Sequence, residues 1–363
     1  MTGSRLVGEV RVVGAGLLGA SVGLALRHKG VDVIVHDSSP AQLSLAIDYG
    51  AGRAARDTDN PALIVVAVPP DVVATVVAAE LKRFPNALVT DVASVKAGPL
   101  AELATLGADL GRYLGSHPLA GRERGGAISA RADLFIGRPW VIAAHDDTPQ
   151  SVVRTIEDLI LDLGAVPITM SAAEHDRSVA LVSHVPQVVA SLLAKRLLGS
   201  TEAAVSLSGQ GLRDTTRIAG SNPELWVQIL GANAESVAEI LAAYRDDLDE
   251  LLRVLAAPTA PGARRALAEF LAAGNMGVAR IPGKHGQDRR FGQIVVMVDD
   301  KPGELARLLT EIGEAGVNME DLRLEHSPGA QIGFAEISVL PEVEQTLADE
   351  LESRGWRIAG AWQ

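Results

Sequence analysis

The sequence predicts an α/β protein in three parts: an N-terminal doubly wound domain, an all-helical middle and a small C-terminal βαββαβ unit. Three observations predict it. Short aliphatic runs alternate with amphipathic stretches as far as Met170. The strand signal then disappears for more than a hundred residues, over which apolar residues recur three and four apart. It returns only after Gly283–Arg290, a polar, glycine-bearing GKHGQDRR stretch that reads as a linker. A length of 363 residues fits two or three domains at roughly 150 residues each.

In the first part, Val10–Val13, Val31–His36, Leu63–Val68, Leu88–Val92, Val141–Ala144 and Val166–Thr169 are too short for helices. They are continuously apolar, as strands buried on both faces are. Helical segments between them, Gly19–His28 and Ser151–Leu163 among them, imply right-handed crossovers and a parallel sheet. In the second part, Ala172–Leu198, Glu202–Gly209, Pro223–Ala257 and Pro261–Ala273 read as helices, with Pro186, Pro223 and Pro261 at kinks or first turns. These helices are apolar enough to imply burial against a second copy, hence a homodimer; an intramolecular bundle is the alternative. The third part reads as strand Phe291–Val298, helix Gly303–Gly316, strands Val317–His326 and Gln331–Leu340, helix Pro341–Gly355 and strand Trp356–Trp362, a ferredoxin-like plait. The expected domains are therefore 1–170, 171–283 and 291–363, with a linker at 284–290.

Composition narrows the function. There are no cysteines, which removes disulfides, thiolate metal sites and cysteine nucleophiles and fits a cytoplasmic protein. A net charge of −12, from 33 basic and 45 acidic residues, argues against nucleic acid or an anionic membrane as partner. No apolar run reads as a membrane span, since His184, Pro186 and Lys195 interrupt the longest one. The glycine-rich N-terminal stretch follows a strand and is not read as a secretory signal.

Gly14-Ala15-Gly16-Leu17-Leu18-Gly19 follows the first strand and opens a helix, the context that makes a glycine pattern informative. Gly14 permits the tight turn, Gly16 lets the backbone approach a pyrophosphate, and Gly19 lets the helix pack on the strand. The phosphates of a dinucleotide then face the N–H groups of Leu17 and Leu18 and the positive end of the helix dipole. Asp37 ends the next strand, 18 residues beyond Gly19, where its carboxylate accepts the ribose hydroxyls. With neutral Ser38 and Ser39 following, this favours NAD over NADP; a turn or N-cap role before Pro40 is the alternative. Val68 and Pro69 end a strand near the nicotinamide half and supply shape.

Thr90–Lys96, Gly115–Glu123 and Gly211–Ala219, taken with Gly14–Gly19, Glu174-His175-Asp176 and Ser183-His184-Val185-Pro186, resemble the prephenate dehydrogenase family, arogenate dehydrogenases included. The resemblance covers residues 8 to 290, and the order of the pieces is what makes it specific. It implies a Rossmann-type domain and a helical dimerisation domain enclosing a cyclohexadienol, with NAD as cofactor and prephenate or arogenate as substrate. It assigns His117 as the base at the substrate hydroxyl, and Ser94 to a hydrogen bond with that same hydroxyl or with the histidine, fixing its tautomer, beside the cofactor. It assigns Arg217 to the ring carboxylate and Glu123 to the mouth of the site. Arg213 reads as a second carboxylate contact or as an ion-pair partner of Asp214 or Glu224, and Lys96 as a phosphate contact or a solvated loop residue. His184 reads equally as a substrate contact or a core histidine. Gln187 stands where many prephenate-specific members carry a histidine, which bears on the substrate's side chain; prephenate is the favoured reading. His175, Asp176 and His184 do not make a convincing metal site, and no metal is expected. The tail resembles an ACT domain, which implies a tyrosine effector at Asp300, Pro302, Gly303 and Asn318; a purely assembling role is the alternative. Two other classes compete: a β-hydroxyacid dehydrogenase or imine reductase, which would rely on an interdomain lysine or aspartate, and a non-catalytic nucleotide sensor.

Overall fold

The computed structural model describes residues 3–121, 126–145, 148–281, 291–326 and 332–359. By compactness the chain forms two units, residues 1–201 with 215–245 and residues 202–214 with 246–363.

The first unit begins with β1 (Val10–Val13), α1 (Leu17–His28), β2 (Val33–His36), α2 (Pro40–Asp48), β3 (Arg53–Ala54), β4 (Leu63–Val66), α3 (Val73–Arg83), β5 (Leu88–Asp91) and α4 (Ala97–Thr105). Its five strands are all parallel, in the order β3-β2-β1-β4-β5. The order reverses between β1 and β4, and ligands of such sheets bind at the carboxyl ends of strands flanking that point. Val10, Val12, Val35 and Val65 pack on one side of this sheet, and Ile64, Val66, Val77 and Leu81 on the other. The central strand also carries Arg11, 1% exposed, which is held by a bidentate pair to Glu80 of α3 at 2.9 and 3.1 Å. Paired edge to edge with a carboxylate through Nε and Nη2, this guanidinium is tolerated in the core.

The expected single sheet instead continues as a second one. β6 (Gly115–Pro118), β7 (Pro139–Ala143) and β8 (Val166–Met170) form a mixed sheet, with α5 (Gln150–Asp162) crossing between the parallel pair β7 and β8. β6 runs antiparallel to β7, and Leu114 N–H donates to the Val89 carbonyl at 3.0 Å, so β6 starts beside β5. The short polar run Gly-Ser-His-Pro gave no aliphatic signal for β6.

α6 (Ala172–Val179) and α7 (Val185–Arg196) are joined by a wide π-type turn, Ala180–His184. Pro186 lacks an N–H and its ring crowds the carbonyl four residues back, so the chain takes the wider turn there. The continuous run Ala172–Gly199 is long and apolar enough, by length and composition alone, to cross a membrane, contrary to the sequence expectation. Its His175, Asp176 and His184 are buried and engaged with other elements of the unit, while Leu181, Val182 and Leu192 are exposed. After α8 (Glu202–Ser206) and α9 (Gln210–Thr216), the stretch expected as one helix from Pro223 is two, α10 (Pro223–Ala232) and α11 (Ala234–Ala256). They break at Asn233, whose side chain is drawn into the core. α12 spans Ala263–Val278.

In the second unit, β9 (Gly292–Asp299), α13 (Glu304–Glu314), β10 (Asp321–His326), β11 (Ile332–Val339), α14 (Pro341–Ser353) and β12 (Arg357–Ala359) form an antiparallel sheet ordered β10-β11-β9-β12. Val296, Ile337, Leu308, Leu347, Leu351 and Trp356 form its core. The linker expected at 284–290 lies outside the described residues.

Candidate active site

The glycine turn sits at the sheet's switch point. Gly14 has φ 101°, and a Cβ there would collide with the Ala67 carbonyl, so only glycine fits. A Cβ on Gly19 would collide with the Gly14 carbonyl, while the space over Gly16 is open. α1 starts at Gly16 without a side-chain cap, leaving the first-turn N–H groups of Leu17 and Leu18 for a ligand. Asp37, half-buried at the end of β2, accepts from Ala15 N–H at 2.7 Å and Ser39 N–H at 2.8 Å. It therefore braces the turn and retains lone pairs for a ribose. Ala67 and Val68 flank Gly14, with Pro69 exposed beyond them. An open glycine, an uncapped helix start and an adjacent carboxylate are what a dinucleotide requires.

A buried polar cluster lies at the ends of β5 and β6. His117, on β6, places Nδ1 at 2.8 Å from His175 Nε2, and the two rings meet edge to face at 5.0 Å. His175 Nδ1 is 2.7 Å from Asp176 Oδ1. Asp176 also accepts from the backbone N–H groups of Lys96 and Ala97, both at 2.8 Å. α6, capped by the Ser171 hydroxyl on Glu174 N–H, thus holds the His-Asp pair against the loop that follows β5. Burial first, and then the neighbouring His175 ring, the Lys96 ammonium and the His184 ring, push His117 well below the usual histidine range, so the ring is neutral near pH 7.

Beneath that loop, Lys96 is 1% exposed and its ammonium pairs with Asp91, which also accepts from Tyr113 Oη at 2.7 Å and Ala93 N–H at 2.8 Å. Lys96 is therefore neither a phosphate contact nor a solvated residue; it ties the loop down. Ser94 is half-buried and makes no side-chain hydrogen bond among the described residues. The side chain that His117 meets is His175.

His184, 1% exposed, ends the π turn. Its Nδ1 lies 3.2 Å from Asn233 Nδ2, which also donates to the Asp176 carbonyl at 2.8 Å, and Trp226 stands edge-on at 6.0 Å. Burial pushes its pKa down to about 4. Gln187 is buried in the first turn of α7. Arg217 opens the turn Arg217–Gly220, which packs on α7. Arg213 belongs to α9, which runs directly into the turn that Arg217 opens. Asp214 accepts from Gln210 Nε2 at 2.8 Å. Glu123 lies outside the described residues. Among the described residues no group of three or more histidines, cysteines and carboxylates is arranged to hold a metal ion.

The sequence reading missed His175 and Asp176 as working residues. The available signal was an adjacent His-Asp pair just inside a serine-capped helix that follows the last strand.

A dinucleotide cradle at the switch point and a neutral histidine backed by a carboxylate define a nicotinamide-dependent dehydrogenase. Comparison with known proteins narrows the class. Residues 22–169 match the prephenate dehydrogenase nucleotide-binding domain and residues 171–272 the prephenate dehydrogenase dimerization domain. A curated relative, "Probable prephenate dehydrogenase NovF" of Streptomyces niveus, is 37% identical over 355 residues, 95% of this chain and 98% of its own length. The structure of prephenate dehydrogenase from A. aeolicus in complex with hydroxyphenyl propionate and NAD+ aligns with TM-score 0.66 at 26% identity, over 76% of this chain and 99% of its own. Synechocystis arogenate dehydrogenase aligns with TM-score 0.62 at 27% identity, over 74% and 99%. The chain belongs to the prephenate dehydrogenase family and is an NAD-dependent oxidoreductase of that family.

Proposed function

We propose that the protein oxidises and decarboxylates prephenate to 4-hydroxyphenylpyruvate, with His117 as the base. The observation that carries this reading is a half-buried, neutral imidazole on β6, tied through His175 to a fixed carboxylate. Bound NAD supplies the hydride acceptor. His117 takes the hydroxyl proton as the C–H hydride leaves, and the O–H pair becomes the carbonyl. The ring carboxylate then departs as carbon dioxide; its C–C bond pair aromatises the ring and yields a phenolate, which recovers the proton from His117. No net proton is released, so the base needs no path to solvent. A base so placed contributes about 10²–10⁴ in rate.

Ser94 is assigned to the hydroxyl, Arg217 to the ring carboxylate, and Gln187 and His184 to the side chain; Arg213 and Glu123 are assigned to the outer site. An arginine matches a planar carboxylate edge to edge. Gln187, uncharged and buried, offers an amide to the pyruvyl group; arogenate is the competing substrate, separated by the same assay. Domain borders near 170 and 283–291 complete this reading, as does a homodimer in the cytoplasm. The dimer is supported by exposed Leu181, Val182 and Leu192 on the helices matched to the dimerization domain. The tail is assigned as an ACT-like plait that binds tyrosine, supported by its strand order and by a cavity of about 180 Å³ lined in part by Asp300, Leu305 and Phe334. Pro302 and Gly303 stand beside the cavity in sequence and Asn318 is exposed elsewhere in the loop after α13.

The test is NADH formation with prephenate and with arogenate, with and without tyrosine, in wild type and in His117→Ala. Turnover with prephenate that His117→Ala lowers by at least about 100-fold supports the reading. No turnover with either substrate, or an undiminished variant, overturns it.

A further inference from the structure

The cluster around His117 determines which of its ring nitrogens carries the proton. The chain of contacts starts at Asp176, which two backbone N–H groups hold, Lys96 on Oδ1 and Ala97 on Oδ2, both at 2.8 Å. A backbone N–H can only donate, so the carboxyl group is an acceptor on both oxygens. Burial opposes its charge, but hydrogen bonds from His175 and the two amides outweigh that and hold its pKa below the ordinary carboxylate range. The group 2.7 Å from Oδ1 must then be a donor, and it is His175 Nδ1. A neutral imidazole with its proton on Nδ1 has only a lone pair on Nε2. That lone pair faces His117 Nδ1 at 2.8 Å, a hydrogen-bonding distance that requires a proton on His117 Nδ1.

We infer that His175 and Asp176 are positioning residues that lock His117 in its Nδ1–H tautomer, so that Nε2 is the lone-pair nitrogen which takes the substrate's hydroxyl proton. The inference rests on the reading of His117 as the base and adds what makes it one. An isolated imidazole distributes its proton over both nitrogens, and a base whose lone pair points at the protein core is inert. Here the charge that His117 gains on accepting the proton is met by a His175 ring polarised by Asp176, so the pair also stabilises the protonated state. The strand places His117 Nδ1 towards α6, and the backbone of the loop after β5 holds the far end of the chain. Order is thus transmitted from backbone amides through a carboxylate and two rings to the reacting nitrogen.

Two measurements test it on the full-length enzyme. In long-range ¹H–¹⁵N spectra of histidine-labelled protein near pH 7, His117, assigned by its loss in His117→Ala, should show a protonated Nδ1 and an unprotonated Nε2. A protonated Nε2, as a doubly protonated His175 would impose, overturns the inference. In turnover, His175→Gln keeps an acceptor for the His117 proton through its amide oxygen, whereas His175→Leu fills similar volume without one. Gln should retain at least about tenfold more kcat than Leu, with KM for NAD unchanged in both. Equal kcat in two folded variants means that His175 only fills space, and overturns the inference. If His117→Ala itself retains full turnover, the base assignment fails while the tautomer result stands or falls by the spectrum.

Discussion

Replacing Lys96 with methionine removes the cation that pairs with Asp91 in a buried site and leaves its volume nearly filled. Asp91 is fully buried and Lys96 is 1% exposed, so their charges are almost wholly withdrawn from water. Burial pushes the ammonium down, and Asp91 opposes that shift through its charge and hydrogen bond. In Lys96→Met, Asp91 retains two neutral donors, Tyr113 Oη and Ala93 N–H. Tyr113 is itself pushed up by burial and by Asp91, so it stays a phenol and brings no charge. A buried carboxylate stripped of its ion partner costs about 3–5 kcal/mol. An exposed pair such as Arg265–Glu269 is worth about 0–1 kcal/mol. Urea unfolding at fixed protein concentration should therefore show Lys96→Met less stable by about 3–5 kcal/mol, and Asp91→Asn combined with Lys96→Met should recover more than half of that loss, because no orphan charge remains. A single variant within about 1 kcal/mol of wild type, or a double variant no better than the single, would refute the argument that this ion pair anchors the loop beneath His117.

Acid should destabilise the fold through its buried histidines. His184 drops from 6.5 to about 4 on folding and His117 falls well below 6.5, so the unfolded chain takes up protons first. Stability is then full above pH 6.5 and declines as pH falls towards 4, by up to about 1.4 kcal/mol per pH unit for each group; thermal melting that is flat across this window would contradict it. Gly14→Ala should abolish NAD binding, read by titration with NADH fluorescence, because φ 101° and the Ala67 carbonyl leave no room for a Cβ. Asp37→Asn should weaken NAD at least about tenfold and narrow the gap to NADP, since one brace of the glycine turn and the charge at the ribose are lost together; unchanged affinity for both would remove Asp37 from the cofactor site. Arg217→Ala should raise KM for prephenate by about 30-fold or more with smaller effect on kcat, as for a lost charge partner; an unchanged KM would free Arg217 from that role.

The parallel strands were legible because burial on both faces demands runs such as Leu-Ile-Val-Val at 63–66, and few other structures explain them. β6 was not legible as a strand, because Gly-Ser-His-Pro pairs by backbone geometry alone. The helix break at Asn233 was hidden for a similar reason: its amide turns inward to bridge the Asp176 carbonyl and His184, partners 57 and 49 residues away.

By itself the sequence determined those things that local stereochemistry and burial dictate over a few residues: the glycine turn and its helix, the carboxylate after β2, and the parallel aliphatic strands of the nucleotide-binding domain. Tertiary structure alone decided that Lys96 is a buried anchor and that His117 meets His175. The reason is that a side chain's protonation and partners depend on what lies opposite it in space. Lys96 and Asp176 lie 80 residues apart along the chain, and His117 and His175 lie 58 apart, yet each pair meets within hydrogen-bonding distance.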